Sequence, residues 1–174
     1  YSAPTCSPTR ASMLTGINSL ANGVIRPYAN PRTESYGMPL YHKILPEYLL
    51  EAGYQTALSG KWHLGMSSDE YLPSSRGFQQ TYGHMNGGID YYDHSFSGRL
   101  DWHRDNIPLV EDGYATNLIA NEAIRIIKNK DKNKPLFLYV AFNAPHTPIQ
   151  VENDVMNELL FIDDIDDRRY AANI

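Results

Sequence analysis

The strongest constraint on the fold of this 174-residue chain is a helix-then-strand pair in its second half. Tyr114 to Lys130 carries Leu118, Ile119, Ala123, Ile126 and Ile127 on one stripe at helical spacing, with lysines gathered at its C-terminal end. Pro135 stops that pattern, and Leu136 to Phe142 follows as an unbroken apolar run of β-forming residues. Such a run predicts a strand buried on both faces, which is the habit of parallel sheets. The same alternation appears earlier. His42 to Ala52 reads as a helix stopped by Gly53, and Gln55 to Ser59 as a short strand. Ser7-Pro8 opens an earlier helix, with Ser as cap and Pro at the first helical position, and Gly16 closes it. Helices alternating with buried strands predict an α/β fold with a mostly parallel sheet flanked by helices. Ile17 to Pro39, Met66 to Gly113 and Asn143 to Gln150 read as loops.

Composition narrows the function. The net charge is −5 and the pI about 5.6, so a nucleic-acid-binding role lacks its basic face. No apolar run approaches the roughly 20 residues of a membrane span. The chain opens YSAPTCSPTR, without a charged start or an apolar h-region, and one cysteine says little about compartment. Cys6 stands too near the start for a strand to precede its helix, and Asp167 to Ile174 reads as a helix beginning. The expectation is that residues 1–174 are part of one larger domain, without its N-terminal strand and C-terminal portion.

The chemistry concentrates in three segments. Cys6-Ser7-Pro8-Thr9-Arg10 runs on to Leu14-Thr15-Gly16. Given the Cys, matching its partners at fixed offsets by chance is on the order of one in a million at background usage. A cysteine just ahead of a helix N-terminus meets free backbone N–H groups and the positive end of the dipole, which together favour an anion. Arg10, one turn in, adds a fork of donors suited to a tetrahedral oxyanion. The second segment is Gly53-Tyr54-Gln55-Thr56 through Gly60-Lys61-Trp62-His63-Leu64-Gly65. In extended backbone Lys61 and His63 share a face and Trp62 takes the other. They sit past a strand's C-terminal end, where open α/β sheets bind ligands. The third is Asn143-Ala144-Pro145-His146-Thr147-Pro148, after the apolar run. Cys6, Lys61 and His146 thus fall at element ends that a parallel sheet brings to one edge.

The first segment resembles the C-x-P-S/T-R-x-x-x-L-T-G signature of the type I sulfatases, with Ile17 where the family usually has Arg. The second resembles their G-Y-x-T-x-x-x-G-K-W-H-L-G signature, and the third their A-P-H-x-P segment. The resemblance implies a partial alkaline-phosphatase-like domain and cleavage of a sulfuric ester of a carbohydrate or aryl alcohol. It implies that Cys6 is oxidised to formylglycine by a sulfatase-maturing enzyme and in that form ligates calcium. It further implies that Arg10, Lys61, His63 and His146 serve catalysis, the last three contacting the sulfate or leaving group, and that the protein is exported (periplasmic, extracellular or lysosomal). The family's remaining calcium ligands match no residue of this chain.

Gly87-Gly88-Ile89-Asp90-Tyr91-Tyr92-Asp93-His94 resembles a loop of arylsulfatase B-like members that act on sulfated N-acetylgalactosamine. Tyr91, Tyr92, Phe96 and Trp102 are therefore either sugar-stacking residues or the core of a long loop. His84, Asp93, His94, Asp101, His103 and Asp105 match no standard metal spacing. Asp163 to Asp167 reads as a turn and helix cap rather than a calcium loop. Two alternatives to a sulfatase stay open from the sequence. One is a phosphodiesterase or phosphonate hydrolase of the alkaline phosphatase superfamily; the other is a non-catalytic chain that binds sulfated glycans.

Overall fold

The computed structural model describes residues 3–28 and 37–174. Residues 29–36, part of the segment read as loop, lie outside the described set. In order, the elements are α1 (Cys6–Thr15), α2 (Ser19–Asn22), α3 (Leu45–Glu51), β1 (Gln55–Gly60), β2 (Gln80–Gly83), β3 (Ser95–Phe96), β4 (Arg99–Leu100), β5 (His103–Arg104), β6 (Ile107–Pro108), α4 (Ala115–Asn129), β7 (Leu136–Ala141), α5 (Asn153–Glu158) and α6 (Ile165–Ala172).

The main sheet runs β6-β5-β2-β1-β7. β7, β1 and β2 are parallel, with Leu58 opposite Tyr139 on one side and Thr81 on the other. β5 and β6 extend the sheet antiparallel. The alternation of β1 places helices on both faces. Leu58 enters a core with Leu14, Met38, Ile44, Trp62 and Phe78. Its neighbour Ser59 faces the other way and donates its hydroxyl to Ile119 O of α4 at 2.8 Å. Beyond β2, Tyr82, Ile89, Tyr91, Trp102 and Ile119 form a second core. α4 turns Ala115, Ile119, Ala123 and Ile126 inward. Ile127, assigned to that stripe from its spacing, is 52% exposed. Glu122 is buried instead, between Arg104 and Arg125.

Three expectations need correction. The strand covered on both faces is β1, whereas β7 is half-buried. β1 has partners on both edges, while β7 pairs only with β1 among the described residues. The helix of the first motif starts at Cys6 itself, with Thr5 as its N-cap and no side-chain cap bond. Pro8 therefore stands third, which costs no hydrogen bond because the first four N–H groups of a helix have no partner within it. The 66–113 stretch is not all loop: β2 crosses it as a central strand. Gln80-Thr81-Tyr82-Gly83 is too short and too polar to show as one, because its burial comes from neighbours brought over it by tertiary packing. The acidic run behaves as read: Asp164 caps α6, accepting from the N–H groups of Asp166 and Asp167.

Candidate active site

The site lies where β1, β2 and β7 end. The ladder continues past β1: Lys61 N donates to Ala141 O at 2.7 Å, Trp62 N to His84 O at 2.9 Å and His63 N to Met85 O at 3.1 Å. Residues 61–63 are thereby held between the end of β7 and the segment after β2. Trp62 points into the core, its indole N–H donating to Gly65 O and Tyr71 O at 3.1 and 2.9 Å. Lys61 and His63 both turn to Gly87. The Lys61 ammonium donates to the Gly87 carbonyl. The His63 ring rests on the Gly87 α-carbon so closely that a β-carbon there would lie 2.6 Å from Cε1. Gly88 does the same for His146, where an added β-carbon would meet Nδ1 at 2.5 Å. Only glycine allows the backbone to pass between both histidines. The sequence reading assigned Gly87 and Gly88 no role, because nothing local shows what a glycine will touch.

His63 is buried at a φ of +56°, the left-handed region that costs a non-glycine residue about 1 kcal/mol or more. Two bonds hold it there: its backbone N–H on Met85 O, and Nε2 donating to Tyr28 O at 3.0 Å. A carbonyl only accepts, so Nε2 carries the proton and Nδ1 presents a lone pair. That Nδ1 is buried and unpartnered among the described residues. Burial first, then the charges of Lys61, Arg10 and His146, push the His63 pKa down to about 4, against the opposing bond to Tyr28. The imidazole is neutral near pH 7.

Cys6 is partly exposed at the first turn of α1 and lines a cavity of about 360 Å³ with Thr5, Thr9, Arg10, Met13 and Tyr139. Arg10 Nη1 donates to Lys61 O at 2.8 Å and to Tyr139 Oη at 3.1 Å, tying α1 to β7 and to the second motif. Burial lowers the Arg10 pKa, with Tyr139 and Cys6 opposing. Lys61 is pushed down to about 8, by burial first and then by Arg10, with Cys6 opposing. Two cations and a cysteine thus share one region. Two buried positive groups side by side are costly unless an anion joins them. Among the described residues, no carboxylate lines this cavity. Among the described residues, no three His, Cys, Asp or Glu side chains come together as a metal site. The donor set present fits an anion, not a calcium ion.

His146 is exposed, and its Nδ1 donates to Thr147 O at 2.7 Å. It borders a second cavity of about 370 Å³ with Asp90, Ser95, Phe96, Ser97 and Pro148, between the β3–β4 hairpin and the 145–148 loop. The aromatic candidates separate here. Tyr91 and Trp102 are fully buried. Tyr91 stacks on Tyr114 and donates its hydroxyl to His146 O at 2.9 Å, so its ring offers no face to a sugar and instead holds the histidine loop. Tyr92 is 47% exposed but outside the cavity lining, its hydroxyl on Val151 O. Phe96 is the aromatic that borders the cavity.

The chain and its fold have known counterparts. The sulfatase family model matches residues 1–168, and the chain belongs to that family, whose domain has the alkaline-phosphatase-like fold. Arylsulfatase J of Mus musculus is 34% identical over 99% of this chain and 30% of its own length. The N-acetylgalactosamine-6-sulfatase of Homo sapiens is 33% identical over 86% of this chain and 32% of its own. The chain therefore spans about a third of the curated relatives it matches. Among solved structures, Ps i-CgsB in complex with k-i-k-neocarrahexaose aligns at a TM-score of 0.86 and 29% identity, covering 97% of this chain and 41% of that one. BT4656, solved with its substrate D-glucosamine-2-N,6-O-disulfate, aligns at 0.70 and 31% identity, covering 93% and 29%. No described helix is long and apolar enough to cross a membrane.

Proposed function

We propose that this chain carries the nucleophile and sulfate-binding half of a sulfatase site that cleaves a sulfuric ester of a sugar. The observation behind this is that Lys61, His63 and His146 gather on Gly87-Gly88 at the end of the parallel strands, with Arg10 bonded to the Lys61 carbonyl and Cys6 beside Arg10 in the first cavity. Cys6 becomes the nucleophile after oxidation to formylglycine by a maturing enzyme. Its hydrated aldehyde supplies one hydroxyl to attack sulfur and a second to release the sulfate as the aldehyde re-forms. Arg10 and Lys61 hold the sulfate oxygens, offsetting the negative charge that desolvation would make costly. His63, neutral and proton-free at Nδ1, accepts a proton near the nucleophile. His146, which borders the second cavity, acts in its imidazolium form: with Nδ1–H kept on Thr147 O, it hands the Nε2 proton to the departing alcohol and is left neutral.

The sugar lies in that second cavity, with one ring face on Phe96 and its hydroxyls near Ser95, Ser97 and Asp90. The names of the relatives support a sulfated glycan. Calcium requires carboxylates beyond the described residues, since Cys6 in its modified form is the one ligand identified here. Export, as in the resemblance, suits an enzyme of extracellular glycans.

The test uses the full-length protein co-expressed with a maturing enzyme. Mass spectrometry of the Cys6 peptide should show the mass lost when a thiol becomes an aldehyde. Sulfate release from N-acetylgalactosamine 6-sulfate and from an aryl sulfate should disappear in Cys6→Ala. Unconverted Cys6 together with sulfate release that survives Cys6→Ala would refute the reading.

A further inference from the structure

We propose that Asp101, which contacts neither Cys6 nor the histidines of the site, is a positioning residue that sets the Lys61 ammonium through the 84–87 segment. The proposal rests on the sulfatase reading for its catalytic consequence but not for its geometry. Asp101 is fully buried, two residues before β5 and next to Trp102 of the second core. Its Oδ2 accepts from Asn86 N at 2.8 Å and Asn86 Nδ2 at 2.7 Å, and its Oδ1 from Met85 N at 3.3 Å. His103 Nδ1 lies 3.7 Å from Oδ1.

Met85, so gripped, is bonded on its other side to the second motif, its carbonyl accepting from His63 N; the preceding His84 O accepts from Trp62 N. The next residue, Gly87, gives its carbonyl to Lys61 and its α-carbon surface to the His63 ring. The segment is thus a brace between Asp101 and residues 61–63. A buried carboxylate with three N–H donors has its lone pairs used on several sides at once. An amide cannot replace it, because its one carbonyl oxygen could serve the two Asn86 donors only while its NH2 would point at the Met85 N–H. Releasing the brace moves the Gly87 carbonyl, and with it the ammonium that meets the sulfate. Misplacement by about 1 Å is enough for a 10²-fold loss.

Asp101→Asn and the milder Asn86→Ala test this in the full-length protein, with two readouts. The first is the rate at which an amine-reactive reagent acylates Lys61, relative to exposed Lys128, followed by peptide mass spectrometry. The expected result is a tenfold or larger relative increase at Lys61 in Asp101→Asn and a smaller one in Asn86→Ala. The second is kinetic: kcat should fall about 10²-fold in Asp101→Asn with KM changed under threefold, and Lys61→Ala should add little to that loss. Unchanged relative labelling in both variants would overturn the proposal. So would a parallel rise at Lys61 and Lys128, or loss of the folded state in both variants, since Asp101 would then be a stability residue only. If the protein released no sulfate at all, the sulfatase reading would fail while the labelling still decided whether Asp101 holds Lys61.

Discussion

At the scale of the residue, burial decides which histidine and which lysine can act. Lys61, lowered from 10.5 to about 8, is a cation only below that value. In the proposed reaction its charged form is the one that holds sulfate. kcat/KM should therefore decline as pH rises through about 8, while the limb in kcat lies higher, because a bound anion favours the ammonium. Lys61→Arg should carry its alkaline limb well above that of the parent, because guanidinium does not deprotonate. An alkaline limb at the same pH in both proteins would sink the assignment. His63 works in the opposite direction on stability. Its folded pKa of about 4 lies below the usual 6.5, so the unfolded chain binds the proton more readily in between. The stabilisation is fully present above pH 6.5 and is lost as pH falls toward 4. His63→Gln, which keeps a donor for Tyr28 O, should shrink the fall in Tm between those limits, and a calorimetric pH series would show it. An undiminished fall would mean His63 is not buried in the neutral form.

At the scale of the element, the segment joining β2 to β3 meets Lys61 and both histidines of the site. Gly87 and Gly88 carry no chemistry, yet each seats an imidazole. Gly88→Ala should displace the His146 ring and lower kcat/KM by about 10²-fold, with little change in Tm because His146 is exposed and its loop can yield. The sulfate-binding step should survive, so Ki for inorganic sulfate as a competitive inhibitor serves as the control. Full activity in Gly88→Ala would show that the contact is not transmitted to the histidine. At this scale the sequence was legible for long, periodic segments such as α4 and for Asp164 at the start of α6. It was not legible for β2, whose four residues are a strand only because β1 and β5 lie beside them.

At the scale of the whole molecule, the chain brings one sign of charge to its site. Arg10 and Lys61 stand near Cys6 with no carboxylate in the cavity lining among the described residues. Calcium takes six to eight oxygens, with carboxylates carrying much of the affinity. The 174-residue chain alone should bind Ca2+ no better than about millimolar by titration calorimetry and should release no sulfate from an aryl ester. Micromolar calcium binding by this chain would show a ligand set that the described residues do not supply.

The amino-acid sequence by itself determined the local chemistry: Cys6 and Arg10 one helical turn apart, Lys61 and His63 just past a strand, His146 in a proline-bounded loop. It also determined the α/β class, because helical and strand periodicities are short-range properties of the chain. Tertiary structure decided the rest. It buried Tyr91 against Tyr114 and left Phe96 at the second cavity, a choice that depends on which surfaces the β3–β4 hairpin covers. It made β1 rather than β7 the fully covered strand. It also gave Asp101 its reach, since three donors converge on that carboxylate only when segments 15 and 16 residues apart fold together.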